Sequence, residues 1–170
     1  MNIIDIRKFM SAFLIGSLFD DYSLIEAQIT TFCTFSIDGR LEKEFGKEAG
    51  PFPEEDAGEA VSGPVEYVRW EQVRERCFSV IRGKNTPLFF KFVFFYPKEK
   101  LGAFLQRSGV PLKEEQLAGL CLNLRFDSSG LILTTGTSMK VFTPDRSADH
   151  AWDEYVRQLL AGLDILVSEI

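Results

Sequence analysis

The run Phe89-Phe90-Lys91-Phe92-Val93-Phe94-Phe95-Tyr96 constrains the fold more than any other segment of this chain. Successive side chains of a strand point to opposite faces. Phe90, Phe92, Phe94 and Tyr96 therefore share one face, and Phe89, Lys91, Val93 and Phe95 the other. Both sets are apolar apart from Lys91, so the run is expected to be a central strand covered on two sides. Pro87 opens it, where a missing N–H costs least, and Pro97 ends it. An ammonium among phenylalanines is costly unless it is solvated or paired. Lys91 must either snorkel outward, the favoured solution, or meet a buried acid such as Glu26. A buried Lys91 without a carboxylate would point to catalysis through a depressed lysine pKa.

Helical periods flank this strand. Asp5 is a cap, and Ile6, Phe9, Met10, Phe13, Leu14 and Leu18 follow as one apolar stripe, predicting a helix over 5–18. Trp70, Val73, Cys77, Phe78 and Ile81 mark a second helix with Gly83 as its stop. A third runs from Lys98 to Gln106, with Gly109 beyond it. The last begins near Asp145 or Ser147, carries Trp152, Tyr155, Val156, Leu159, Leu160 and Leu163, and extends over 147–165.

Two hairpins are read from face parity. Ile29, Thr31, Cys33, Phe35 and Ile37 alternate with Thr30, Phe32, Thr34 and Ser36. Asp38-Gly39 follows as a turn signal. A two-residue loop there pairs Phe35 with Glu42. A three-residue loop, Ile37-Asp38-Gly39, pairs Phe35 with Leu41 and matches like with like, so this register is expected. In the second hairpin the Asp127-Ser128-Ser129-Gly130 turn pairs Phe126 with Leu131 and Leu124 with Leu133. That register puts Thr135 and Thr137 on the same apolar face. Residues 139–143 are read as one further strand. Residues 46–64 are rich in Gly, Pro and acidic side chains and are read as a long mobile acidic loop.

Length and content suit one domain over residues 1–170, and 16 phenylalanines supply its core. The net charge of −6 argues against general nucleic-acid binding, which needs a basic surface. The charge is uneven, however: Arg69 to Lys100 holds eight basic and three acidic residues. A solvated helix face is the favoured explanation of such a run, with a local anion-binding patch as the alternative. Cys33, Cys77 and Cys121 form no C-x-x-C pair and lie among apolar residues, so buried reduced thiols in a cytoplasmic setting are expected. The apolar stretch at 10–19 is too short for a membrane span and lacks the basic start of a secretion signal.

Candidate chemistry is sparse. Thr134-Thr135-Gly136-Thr137-Ser138 can offer backbone N–H groups and hydroxyls to an anion, with Arg82 and Lys84, and further off Lys91, as positive charge. It lacks phosphate-loop spacing, and a Thr-rich strand with a glycine bulge, its hydroxyls bonded to backbone, is the favoured explanation. His150, the only histidine, sits in the first turn of a helix, and its Ser147, Asp149 and Asp153 neighbours do not compose a catalytic triad. One histidine and three dispersed cysteines give no metal-ligand spacing. Asp38, Asp127 and Asp145 occupy turn and cap positions that favour Asp. No catalytic residue, metal or cofactor is assigned.

Several segments together resemble a family of small bacterial proteins of unknown function. They are Ile29-Thr30-Thr31-Phe32, Phe35-x-Ile37-Asp38-Gly39, Ile81-x-Gly83-Lys84-x-x-Pro87-x-x-Phe90-Lys91, Leu122-Asn123-Leu124, Thr134-Thr135-Gly136-Thr137-Ser138 and Trp152-Asp153. The resemblance covers nearly the whole chain. It implies a bacterial cytoplasmic protein and carries no catalytic residue across.

The expected fold is α+β: an antiparallel five- or six-stranded sheet, the 88–96 strand inside it and the terminal helices on one face. The expected function is a non-catalytic interaction or regulatory module with an exposed apolar patch, whose partner is another protein or a second copy and neither nucleic acid nor membrane. The alternative is a binder or enzyme for an anionic small molecule, with Thr135 or Thr137 in one pocket with Arg82 or Lys84.

Overall fold

Asp5 starts the first helix as its sequence position predicts, accepting the Lys8 N–H at 3.0 Å. The computed structural model describes residues 1–42, 65–140 and 142–169, so the acidic segment at 46–64 lies outside the described residues. The elements are β1 (Asn2–Ile3), α1 (Ile6–Leu14), β2 (Ser23–Thr30), β3 (Thr34–Asp38), α2 (Trp70–Ile81), β4 (Phe89–Phe95), α3 (Leu101–Ser108), β5 (Leu117–Asp127), β6 (Gly130–Met139), α4 (Ser147–Ala161) and β7 (Val167–Ser168). The strands form one sheet in the order β3-β2-β4-β5-β6-β1-β7, with every pairing antiparallel. The class is the expected α+β, with more strands than expected because β1 and β7 add a two-residue pair at one edge.

The aromatic strand is central, with β2 on one side and β5 on the other. Its two faces differ. Phe90, Phe92 and Phe94 are buried, and all four helices pack on their side. Phe13 of α1 stacks on Trp70 of α2 with ring centroids 4.6 Å apart, and both meet Phe92 edge-on at 5.3 Å. Phe104 of α3 and Trp152 of α4 close on Tyr96 at 6.1 and 5.2 Å. Both indoles have partners, as buried indoles require. Trp70 Nε1 donates to the Phe13 carbonyl at 3.1 Å, and Trp152 Nε1 to that of Cys121 at 2.8 Å.

The expected second covering layer is absent among the described residues. Phe89, Lys91, Val93 and Phe95 are only half-buried. Their cross-strand neighbours explain this: Gln28 and Glu26 on β2, Arg125 and Asn123 on β5. A second apolar layer would strip water from these groups, so this face stays open to solvent, with the Tyr67 ring meeting Phe95 edge-on at 6.3 Å. Lys91 pairs with Glu26 there, half-exposed. Pairing with Glu26 therefore occurs at the surface, and Lys91 is not the buried, unpaired lysine that the catalytic reading required.

The second hairpin has the predicted register, Phe126 opposite Leu131 and Leu124 opposite Leu133. The first does not. The chain turns at Thr31-Phe32-Cys33, pairing Ile29 with Phe35 and Ala27 with Ile37. The hydroxyls of Thr30 and Thr34 meet across it at 3.0 Å. Phe35 therefore has no Leu41 partner. Asp38-Gly39 is not a hairpin turn. Gly39 is where the backbone passes against β2, its N–H donating to the Ile25 carbonyl at 2.9 Å. After Met139, the described residues Lys140, Phe142 and Thr143 are not extended into the expected further strand.

The shifted turn also corrects the cysteine reading. Cys33 sits in the turn and is exposed, Cys121 is half-buried, and only Cys77 is fully buried. Burial pushes the Cys77 thiol up to about 12 from an ordinary value of 9.0. In native protein a thiol reagent should modify Cys33 first and Cys77 only on unfolding. Because Cys77 keeps its proton when folded, its stabilising contribution is complete below pH 9.0 and drains away as the pH rises toward about 12. Chemical denaturation repeated at pH 8, 9.5 and 10.5 checks that decline; Cys77→Ala should reduce it, the part above pH 10 that remains coming from the buried Tyr22 and Tyr96 phenols.

Candidate functional site

A groove opens at the end of the sheet where the β2–β3 turn meets the C-terminal end of α2. Leu88 N–H donates to the Thr30 carbonyl at 2.9 Å, which sets the start of β4 beside the turn. Arg82 leaves α2 in an extended conformation, its N–H closing the last turn on the Phe78 carbonyl at 2.8 Å. The groove between these elements has a volume of about 570 Å³. Phe32, Phe35, Ile81 and Leu88 supply its apolar surface, and Arg82 and Lys84 its charge. Phe32 is 92% exposed, Leu88 71% and Phe35 36%. The Phe32 and Phe35 rings meet edge to face at 6.0 Å. Arg82 lies over the Phe78 ring at 5.8 Å, a cation–π contact that leaves guanidinium donors unengaged. Among the described residues neither Arg82 nor Lys84 makes an ion pair.

The Thr-Gly-Thr segment lies elsewhere. Strand alternation splits it: Thr135 and Thr137 face the helices, while Thr134, Gly136 and Ser138 face the open side. Thr135 donates to Asp153, and Thr137 to Asp149 at 2.6 Å. The two hydroxyls thus fasten α4 to β6. A cleft of about 260 Å³ beside them holds Arg146 and Arg157 but also both carboxylates. An anion there would meet engaged hydroxyls and two negative charges. The expected joining of Thr135 or Thr137 with Arg82 or Lys84 in one pocket does not occur, because α4 and the end of α2 line separate clefts. Lys91 lines a third, on the open face with Glu26, Asp38, Arg40 and Tyr67. The apparent basic patch is thereby divided.

The remaining polar candidates have structural partners. Asp127 accepts from the Ser129 hydroxyl at 2.5 Å and from the Ser129 N–H at 2.8 Å, and these bonds, the hydroxyl's above all, hold its carboxyl below the usual range. Asp145 accepts from Ser147 N–H at 2.8 Å, and Asp38 from Arg40 N–H at 3.1 Å. His150 is exposed near the start of α4. Among the described residues no cluster of three or more His, Cys, Asp or Glu is gathered to hold a metal ion, and no helix is long and apolar enough to cross a membrane.

A family model described as a family of unknown function (DUF5721) matches residues 12–167. The chain belongs to DUF5721. No curated protein matches it. No solved structure matches it either. The DUF5721 match spans all of the groove, from Thr31 to Leu88.

Sequence reasoning placed Arg82 and Lys84 but missed the aromatic half of the groove. Phe32 reads as a mid-strand residue, because Thr31-Phe32-Cys33 contains none of the Gly, Pro, Asn or Asp that mark turns. The only hint was parity: Phe32 stands alone as an apolar residue among Thr30, Thr34 and Ser36.

Proposed function

We propose that this DUF5721 protein is a non-catalytic interaction module. Its groove docks an apolar segment of a partner protein flanked by acidic residues. One observation carries the reading. Phe32 stands almost wholly exposed and Leu88 largely so beside Arg82 and Lys84, two cations with no carboxylate partner among the described residues. Exposed aromatic surface rimmed by unpaired charge marks a docking site. Aromatic and arginine side chains carry most of the affinity in such contacts. The positive rim selects an acidic flank and speeds encounter. The rest of this acidic chain repels such a partner, which favours approach at the groove.

The test is fluorescence polarisation with a synthetic peptide of leucine and phenylalanine between glutamate pairs, against a lysine-flanked control. The glutamate form should bind and weaken with added salt. Phe32→Asp and Leu88→Asp should each weaken it at least about tenfold while leaving the melting temperature unchanged, since both side chains are exposed. Equal binding of the lysine form, or unchanged binding by both variants, would overturn the reading. Concentration-dependent dimerisation abolished by Phe32→Asp would replace the partner with a second copy of this chain.

A further inference from the structure

At the opposite end of β4, on the order of 25 Å from the groove, three anomalies meet in one cleft. The first is a hydroxyl. Tyr22 is 4% exposed, and its Oη has no hydrogen-bond partner among the described residues. Buried phenol groups ordinarily find one. The second is backbone conformation. Phe19 has φ 66°, in the left-handed region that a bulky side chain rarely occupies. It is held there while buried against Tyr22, ring centroids 4.9 Å apart. The third is a charge at the rim. Lys100 pairs with Asp21, which engages one of the three ammonium donors.

These groups line a cleft of about 260 Å³ with Tyr96 and Tyr155. Leu18, Leu159 and Leu163 add an aliphatic wall. Apolar walls with a few convergent donors are the usual make-up of a small-molecule site. The Asp21 carboxylate also lines the cleft and is held by Lys100, so the donors left free are the Tyr22 hydroxyl and the two remaining ammonium protons. A carboxylate accepts from both at once, and unlike the cleft beside Thr135 and Thr137, this one has a hydroxyl that no side chain engages among the described residues.

We propose that this cleft binds a small carboxylic acid with a flat apolar body, its carboxylate accepting from Tyr22 Oη and Lys100 Nζ and its body lying among Phe19, Tyr96 and Tyr155. Burial pushes the Tyr22 phenol well above its ordinary range, so the hydroxyl remains a donor throughout neutral pH. The site is independent of the docking groove, and neither reading depends on the other.

The experiment uses the full chain with benzoate as the probe and benzamide, its uncharged analogue, as the control. Trp152, 5.2 Å from Tyr96, provides a fluorescence signal, and thermal melting a second readout. Benzoate should change the fluorescence saturably and raise the melting temperature, and benzamide should do neither. Tyr22→Phe removes only the partnerless hydroxyl. It should leave the ligand-free melting temperature unchanged or higher, yet weaken benzoate at least about tenfold. Lys100→Gln should weaken it similarly and serves as the second variant if Tyr22→Phe fails to fold. Absence of a saturable benzoate response in the unaltered protein would overturn the proposal. So would equal binding of benzamide, or benzoate affinity unchanged in either variant.

Discussion

Phe92→Ala should lower the unfolding free energy by about 3–5 kcal/mol, the usual cost of emptying a buried phenylalanine site. Phe92 is fully buried on the central strand, with Phe13 and Trp70 each 5.3 Å from its ring. Those rings arrive on α1 and α2, which cannot both close on the vacated space without leaving Phe94. Most of the cavity therefore persists. Such a loss is a large share of the 5–15 kcal/mol that small domains possess. Lys91→Ala, one residue away, should cost no more than about 1 kcal/mol, because its ion pair with Glu26 is solvent-exposed. Urea denaturation of both variants reads the contrast directly. Comparable losses would mean that both faces of β4 are buried.

Gly39→Ala should cost about 3 kcal/mol, although alanine is ordinarily a mild replacement. A Cβ at this position would lie 1.8 Å from the Leu24 carbonyl oxygen, which is backbone and cannot rotate aside. Gly39 also accepts from Val68 N–H at 2.8 Å while donating to Ile25, so moving it away breaks two strand contacts. Glycine is there for close backbone approach. Gly83→Ala is the control. Its Cβ would meet nothing nearer than the Asn85 carbonyl oxygen at 4.0 Å, so stability should change by less than about 0.5 kcal/mol. If Asp38-Gly39 were an exposed hairpin turn instead, Gly39→Ala would be tolerated far better and the β2–β3 register would be wrong.

That pair of glycines shows where local signals reached and where they stopped. The β5–β6 register was legible because Leu122, Leu124, Leu131 and Leu133 alternate cleanly about a turn-forming Asp127-Ser128-Ser129-Gly130. Helices α1, α2 and α4 were legible from their apolar stripes, which coincide with buried Phe9, Phe13, Cys77, Trp152, Val156 and Leu160. The β2–β3 turn was not, since Thr31-Phe32-Cys33 bends without any residue that prefers to bend, while Asp38-Gly39 has turn chemistry and makes a crossing. Two-residue strands such as β1 and β7 carry no period at all. The groove was half-legible: its cations stood out as a charge excess, but Phe32 and Leu88 become neighbours only through the Leu88–Thr30 backbone bond, across more than fifty residues of chain. The tyrosine cleft had no sequence signal. Tyr22, Tyr96, Lys100 and Tyr155 are separated along the chain, and a partnerless hydroxyl exists only once the surrounding rings are in place.

The docking groove is tested most directly by an amide NMR titration of uniformly 15N-labelled protein with the glutamate-flanked leucine–phenylalanine peptide. The predicted result is saturable shift changes confined to residues 31–35 and 79–88, absent in the Phe32→Asp variant. Perturbation centred instead on Thr134 to Ser138 or on Tyr22, or none at residues 31–35, would contradict it.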